Sequence, residues 1–203
     1  MVGDRPFINI VSGPGGTTIV PAHSTRFFGP GQVCLDAQQG DMILVRHSSR
    51  TAKAIRAAER LRVQKPYCWT NHACVALSGG PDALVIQETG KGSIVTPLAE
   101  MVMESYSVTH FDTVTESQMT AGAQFLHCTL GSGYGFLTIG ADLINALTGL
   151  DIGLGIGNRM VCSTQTCRYL ERLGLVPDRS PYAVTPAHLA WYFDIAIERQ
   201  GAQ

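Results

Sequence analysis

The sequence predicts an α+β fold in which an antiparallel sheet packs against helices. Short apolar and β-rich runs bounded by Gly, Pro and Asp fall between residues 42 and 111, and helical periodicities dominate from residue 116 onward. The strands therefore cluster ahead of the helices instead of alternating with them, as a parallel α/β sheet would require. The 203 residues suit one ordinary domain or a domain with an extension, and 45% hydrophobic against 15% charged residues is too apolar a mixture for disorder.

Residues 1–40 hold one short apolar run, FINIV, followed by a Gly- and Pro-rich stretch that forbids a long helix. They read as a loop-rich N-terminal extension to a main domain over 41–203. GDMILVRH then gives a turn and a buried strand at Met42 to Val45. From Ser49 to Val63 helix formers dominate, with Ala54, Ile55, Ala58 and Leu61 at helical spacing as the expected inner face. The surrounding stretch carries Arg46, Arg50, Lys53, Arg56, Arg60, Arg62 and Lys65 against the single Glu59. Such a face is either simply solvated or holds an anionic partner. The chain as a whole has a net charge of -1, which gives no support to a general nucleic-acid-binding surface.

HACVALS (72–78) and ALVIQET (83–89), separated by GGPD, are the clearest hairpin signal. SIVTPL and ESYSVTHF add two more strands. ESQMTAGAQFLHCTL, ADLINALTGL, CSTQTCRYLERLG and TPAHLAWYFDIAIERQ follow as helices. Residues 139–157 are the best membrane candidate, yet Asp142, Asn145, Asp151 and several glycines suit a hydrocarbon core poorly, so no transmembrane segment is expected. No segment near the start has the layout of a secretory signal. Together these features predict a soluble protein, and its six cysteines read as free thiols rather than a disulfide framework.

Cys162 precedes Ser163, Thr164 and a long helical pattern, so it is expected at a helix start, where unpaired N–H groups and the dipole favour a thiolate. Cys167 falls inside the same helix and reads as a buried structural thiol. A thiol nucleophile needs a base and a group to orient that base. If the hairpin turn is centred near Gly80, paired residues have numbers summing to about 160, and His72 lies opposite Glu88 or one position from it. A slip of one residue would turn Glu88 to the other face and bring in Gln87 or Thr89. No Cys-x-x-Cys and no full phosphate-loop or Gly-x-Ser-x-Gly pattern is present, so no metal, cofactor or serine-hydrolase chemistry of that type is expected; GSGYG (131–135) and GLGIGN (153–158) read as turns.

The order of His72, Glu88 and a helix-initiating Cys162 reverses that of papain-type proteases, as in a circular permutation. The chain resembles the permuted papain-like group of the NlpC superfamily, in particular the YiiX-like hydrolases. The resemblance rests on GDMILVRH with Asp41, NHACVAL, VIQET, GSGYGF with Tyr134, MVCSTQTCRYLERLG and VTPAHL, and spans roughly residues 40 to 190. Related sequences commonly carry Tyr-Asp where this chain has Tyr134-Gly135. The resemblance implies a circularly permuted papain-like fold and a cysteine peptidase or amidase with Cys162 as nucleophile, His72 as base and Glu88 as orienting residue. Asp41 and Tyr134 would line the substrate groove, and the substrate would be a peptide or amide, with bacterial peptidoglycan the first choice. A wall target implies that the protein is phage-associated, delivered, or released on lysis; otherwise its substrate is cytoplasmic. The alternatives are a lipid acyltransferase or lipid hydrolase on the same fold, or a catalytically silent module for an anionic partner.

Overall fold

In the computed structural model, the described residues are 8–10, 22–61, 63–133, 161–177 and 180–197. They form a mixed α+β structure with a six-stranded antiparallel sheet. The strands are β2 (His23–Phe28), β3 (Met42–Arg46), β4 (His72–Ala76), β5 (Leu84–Thr89), β6 (Gly92–Pro97) and β7 (Ser105–Phe111), in the order β2-β7-β3-β4-β5-β6. A separate ribbon pairs β1 (Ile8–Ile10) with β8 (Leu175–Pro177). Among the described residues the α-helices are α1 (Arg50–Glu59), α2 (Glu116–Thr129), α3 (Cys162–Arg172) and α4 (Pro186–Tyr192). None of them is long and apolar enough to cross a membrane. The expected helix 141–150 and the segment 139–157 lie outside the described residues.

Strand alternation divides the core in two. Met42, Leu44, Ala73, Val75 and Ile86 face the helical layer, packing with Cys167, Tyr169, Leu170 and Leu173 of α3 and Leu189 of α4. Ile43, Val45, Cys74, Val85, Tyr106 and Val108 face the other way and are covered by Cys34, Ala37, Leu98 and Met101. Each fully buried Leu, Ile or Val contributes about 1.5–3 kcal/mol through removal from water. Both faces are therefore apolar, and the strands read as near-continuous hydrophobic runs. Helices α2 and α3 meet where Gly122 lies against Tyr169: a Cβ there would sit 2.6 Å from Tyr169 Cε2.

Three departures from the sequence reading have physical causes. Residues 1–40 are not all loop, because β2 forms one edge of the main sheet and Thr25 Oγ1 bonds Thr109 Oγ1 at 2.9 Å. The buried side of α1 is Ala52, Arg56 and Glu59, whereas Ala54 and Leu61 are exposed. Polar contacts decide that orientation: Arg56 donates to the His47 carbonyl (2.7 Å), and Glu59 accepts the Ala187 N–H at the start of α4 (3.1 Å). Finally, the last helix stops at Tyr192. Asp194 adopts φ 55°, the Ile195 N–H turns back to the Ala190 carbonyl, and Trp69 Nε1 donates to the Ile195 carbonyl.

Candidate functional site

Cys162 is the first residue of α3, and the preceding Val161 makes no side-chain hydrogen bond to cap the helix. By contrast, Ser49, Thr115 and Thr185 each cap their own helices, the latter two as full capping boxes with Gln118 and His188. Cys162 is buried, and α3 packs against β4 and β5. Its thiol is close enough to Cys74 for a charge on one to disfavour a charge on the other. Together with burial, the larger cause, this pushes the Cys74 thiol well above the ordinary range.

His72 is the first residue of β4, opposite Val45 of β3. Its ring is buried, stacks at a tilt on His47 with centroids 5.1 Å apart, and donates from Nε2 to the Gln87 side-chain oxygen (2.8 Å). Gln87 Nε2 in turn donates to Thr96 Oγ1 (2.8 Å), which fixes the amide. Burial above all, helped by the neighbouring His47 and opposed by the Gln87 bond, pushes the His72 pKa down to about 4. His72 is therefore neutral at pH 7. With Nε2–H engaged, Nδ1 carries the free lone pair.

The expected His72–Glu88 pair does not form. The ladder sets Cys74 opposite Gln87, one residue away from the centred register, so Gln87 shares the face of His72 and Glu88 turns to the opposite one. The turn accounts for the extra residue: the Leu77 N–H bonds the Leu84 carbonyl, Gly80 takes φ 86°, and the Gly80 N–H is anchored to the Ala37 carbonyl.

Glu88 belongs to the helical side. Its Oε1 accepts from Ser132 Oγ (3.2 Å) and Gln165 Nε2 (3.4 Å), and Gln165 also donates to Ser93 Oγ (2.7 Å) and Thr129 Oγ1 (2.9 Å). Among the described residues, Glu88 Oε2 and Gln165 Oε1 have no hydrogen-bond partner. Burial raises the Glu88 pKa to about 7, in spite of the serine hydroxyls.

Asp41 is almost fully buried, and its carboxylate accepts from the Gln38 N–H (2.8 Å) and His110 Nδ1 (2.8 Å). It stands just before Met42, whereas His72 is paired with Val45 near the far end of the same strand. Asp41 therefore belongs to a different cavity from the His72 site. Tyr134 lies outside the described residues. His72 has its hydrogen bond to Gln87 and its ring contact with His47, and neither reaches Cys162. Of the three residues expected together, Glu88 is therefore turned to the face that α3 covers, whereas His72 shares its face with Gln87 and with Cys74, the thiol that Cys162 influences.

Sequence reasoning named Gln87 only as the outcome of a slipped register, and it missed His47 and Gln165. A helix-borne glutamine four residues into α3 has no sequence signature that separates it from a solvated one. Among the described residues no group of His, Cys, Asp and Glu is arranged to hold a metal ion, and none of the six cysteines is in a disulfide. The chain matches no protein-family model, and no curated protein is significantly similar to it.

Proposed function

We propose that the protein is a thiol hydrolase acting on an amide or peptide bond, with Cys162 as nucleophile, His72 as base and Gln87 as the residue that orients the imidazole, on a permuted papain-like arrangement. The observation that carries this reading is the Thr96–Gln87–His72 relay, which ends in a neutral imidazole with Nδ1 unprotonated on a strand that α3 packs against. An amide oxygen serves as the orienting group without needing a carboxylate: it accepts Nε2–H, selects the tautomer and leaves Nδ1 to take a thiol proton. The influence of Cys162 on Cys74, two residues beyond His72 and on its face, supports placing the sulfur near this stretch of β4.

In the reaction, His72 takes the Cys162 proton as the thiolate attacks the carbonyl carbon. The amine leaves with that proton, and water releases the acyl group from the thioester. The N–H groups at the start of α3 supply donors for the oxyanion. Bacterial cell-wall peptide is the first-choice substrate by resemblance. A lipid substrate is a second reading, favoured by α1: Arg50, Lys53 and Arg60 are exposed while its one acid, Glu59, is turned inward.

The test is labelling by a thiol-directed electrophile, followed by incubation with purified peptidoglycan and with phospholipid. Preferential labelling of Cys162 that is lost in His72→Ala, and products absent with Cys162→Ala, are the expected results. Equal labelling of all six cysteines with no product would overturn the reading. Released fatty acid in place of peptide fragments would select the lipid substrate.

A further inference from the structure

On the face of the sheet away from α3, at the opposite end of β3 from the His72 site, a cavity of about 310 Å³ is lined by Ser24, Arg26, Asp36, Gln38, Asp41, Val108 and His110. Ser24 on β2 is paired directly with His110 on β7, and Asp41 stands next to His110 on its other side, one step beyond the Met42–Thr109 pair. Serine, histidine and aspartate therefore form a row across three neighbouring strands. Directly paired residues have Cβ atoms roughly 4.5 to 5.5 Å apart. Asp41, 1% exposed, is held by the Gln38 N–H and accepts the His110 Nδ1–H at 2.8 Å, so the imidazole is held by its Nδ1 edge, as a general base requires. Arg26, paired through Nη1 with both oxygens of Asp36, and Gln38 line the same walls and carry N–H groups of the kind an oxyanion needs.

These are the parts of a serine nucleophile site: a hydroxyl, a base beside it, a buried carboxylate that orients the base, and donors for a developing oxyanion. Such a constellation is recognised by geometry and roles rather than by position in the chain. In an unliganded site the nucleophile–base hydrogen bond is commonly open.

We propose that Ser24, His110 and Asp41 form a second nucleophilic site, independent of Cys162, that cleaves small carboxylic esters. His110 Nε2 takes the Ser24 Oγ proton as Oγ bonds to the ester carbonyl carbon. The C–O bond to the alcohol breaks and the alcohol leaves with that proton. Water then attacks the acyl-serine, gives one proton through His110 back to Ser24 Oγ, and releases the carboxylic acid. The size of the cavity, at the lower end of ligand-binding pockets, limits the substrate to a small acyl group.

The full-length protein treated with an alkyl fluorophosphonate and mapped by peptide mass spectrometry tests this. Ser24 is expected to be modified in preference to the other serines, and modification is expected to be at least tenfold slower in His110→Gln. It should persist in Cys162→Ala, which separates this site from the thiol chemistry. In the Cys162→Ala background, hydrolysis of p-nitrophenyl acetate should fall at least tenfold on Ser24→Ala, an exposed edge-strand position where the melting temperature reports an intact fold. Modification spread evenly over the serines, or unchanged ester hydrolysis in folded Ser24→Ala, would overturn the proposal.

Discussion

The two faces of the β4–β5 hairpin carry buried ionisable groups of opposite kind, and the contrast between them decides how the site is read. On one face, burial drives the His72 pKa down to about 4; on the other, burial raises that of Glu88 to about 7. Each group is pushed toward its neutral form, yet the partners differ. His72 is served by a single amide that is itself tied down, a fixed arrangement suited to presenting one lone pair. Glu88 sits among Ser93, Thr129, Ser132 and Gln165, a network that joins the sheet to α3. Neutrality on the first face is chemistry in waiting; on the second it is packing.

Truncating each side chain in turn separates the two faces most strongly. His72→Ala is expected to slow Cys162 acylation by roughly 10²–10⁴-fold, the usual worth of a general base, whereas Glu88→Gln changes it by less than about threefold. Stopped-flow or mass-resolved labelling rates measure both, and equal losses would return Glu88 to the reaction.

The pH dependence of stability separates the faces next. Glu88 has a folded pKa near 7, above its ordinary 4.5, so its contribution is complete below about pH 4.5 and fades as pH rises through 7. His72, near 4 against an ordinary 6.5, contributes fully above about pH 6.5 and loses this as pH falls through 4. Each effect is at most about 3 kcal/mol. Urea melts from pH 4 to 8 are expected to show that Glu88→Gln removes the loss toward neutral pH and His72→Gln removes the loss toward acid.

A smaller effect is expected at the seam of α2 and α3, where Gly122→Ala forces a methyl group against Tyr169 and Leu173 and costs about 1–3 kcal/mol by overpacking. A lowered denaturant midpoint with unchanged slope would show it. The smallest belongs to α1: Lys53→Glu, at an exposed position, is expected to shift stability by no more than about 0.5 kcal/mol. The same melts test it.

Much of the architecture was legible because hydrophobic period and turn chemistry agree locally. β3 through β7, α2 and α3 all lie where those signals place them. The hairpin was legible as a hairpin, but its register was not. It depends on a backbone bond from Gly80 to Ala37, a residue far away in the chain, and no local rule reports such an anchor. Likewise, α1 was legible as a helix, but its inner face was not, because Arg56 and Glu59 turn inward to satisfy a carbonyl and a helix terminus supplied by distant segments. β2 was hidden by the Gly and Pro around it; its pairing with β7 is what reveals it. The same limit applies to the Ser24–His110–Asp41 row, whose members come from β2, β7 and the residue just before β3, which only the sheet order brings side by side.

The small ribbon of β1 and β8 has a mechanical consequence. Asn9 is laddered to Val176, immediately after α3 ends, so a force applied ahead of residue 8 loads the trailing end of that helix before it reaches the large sheet.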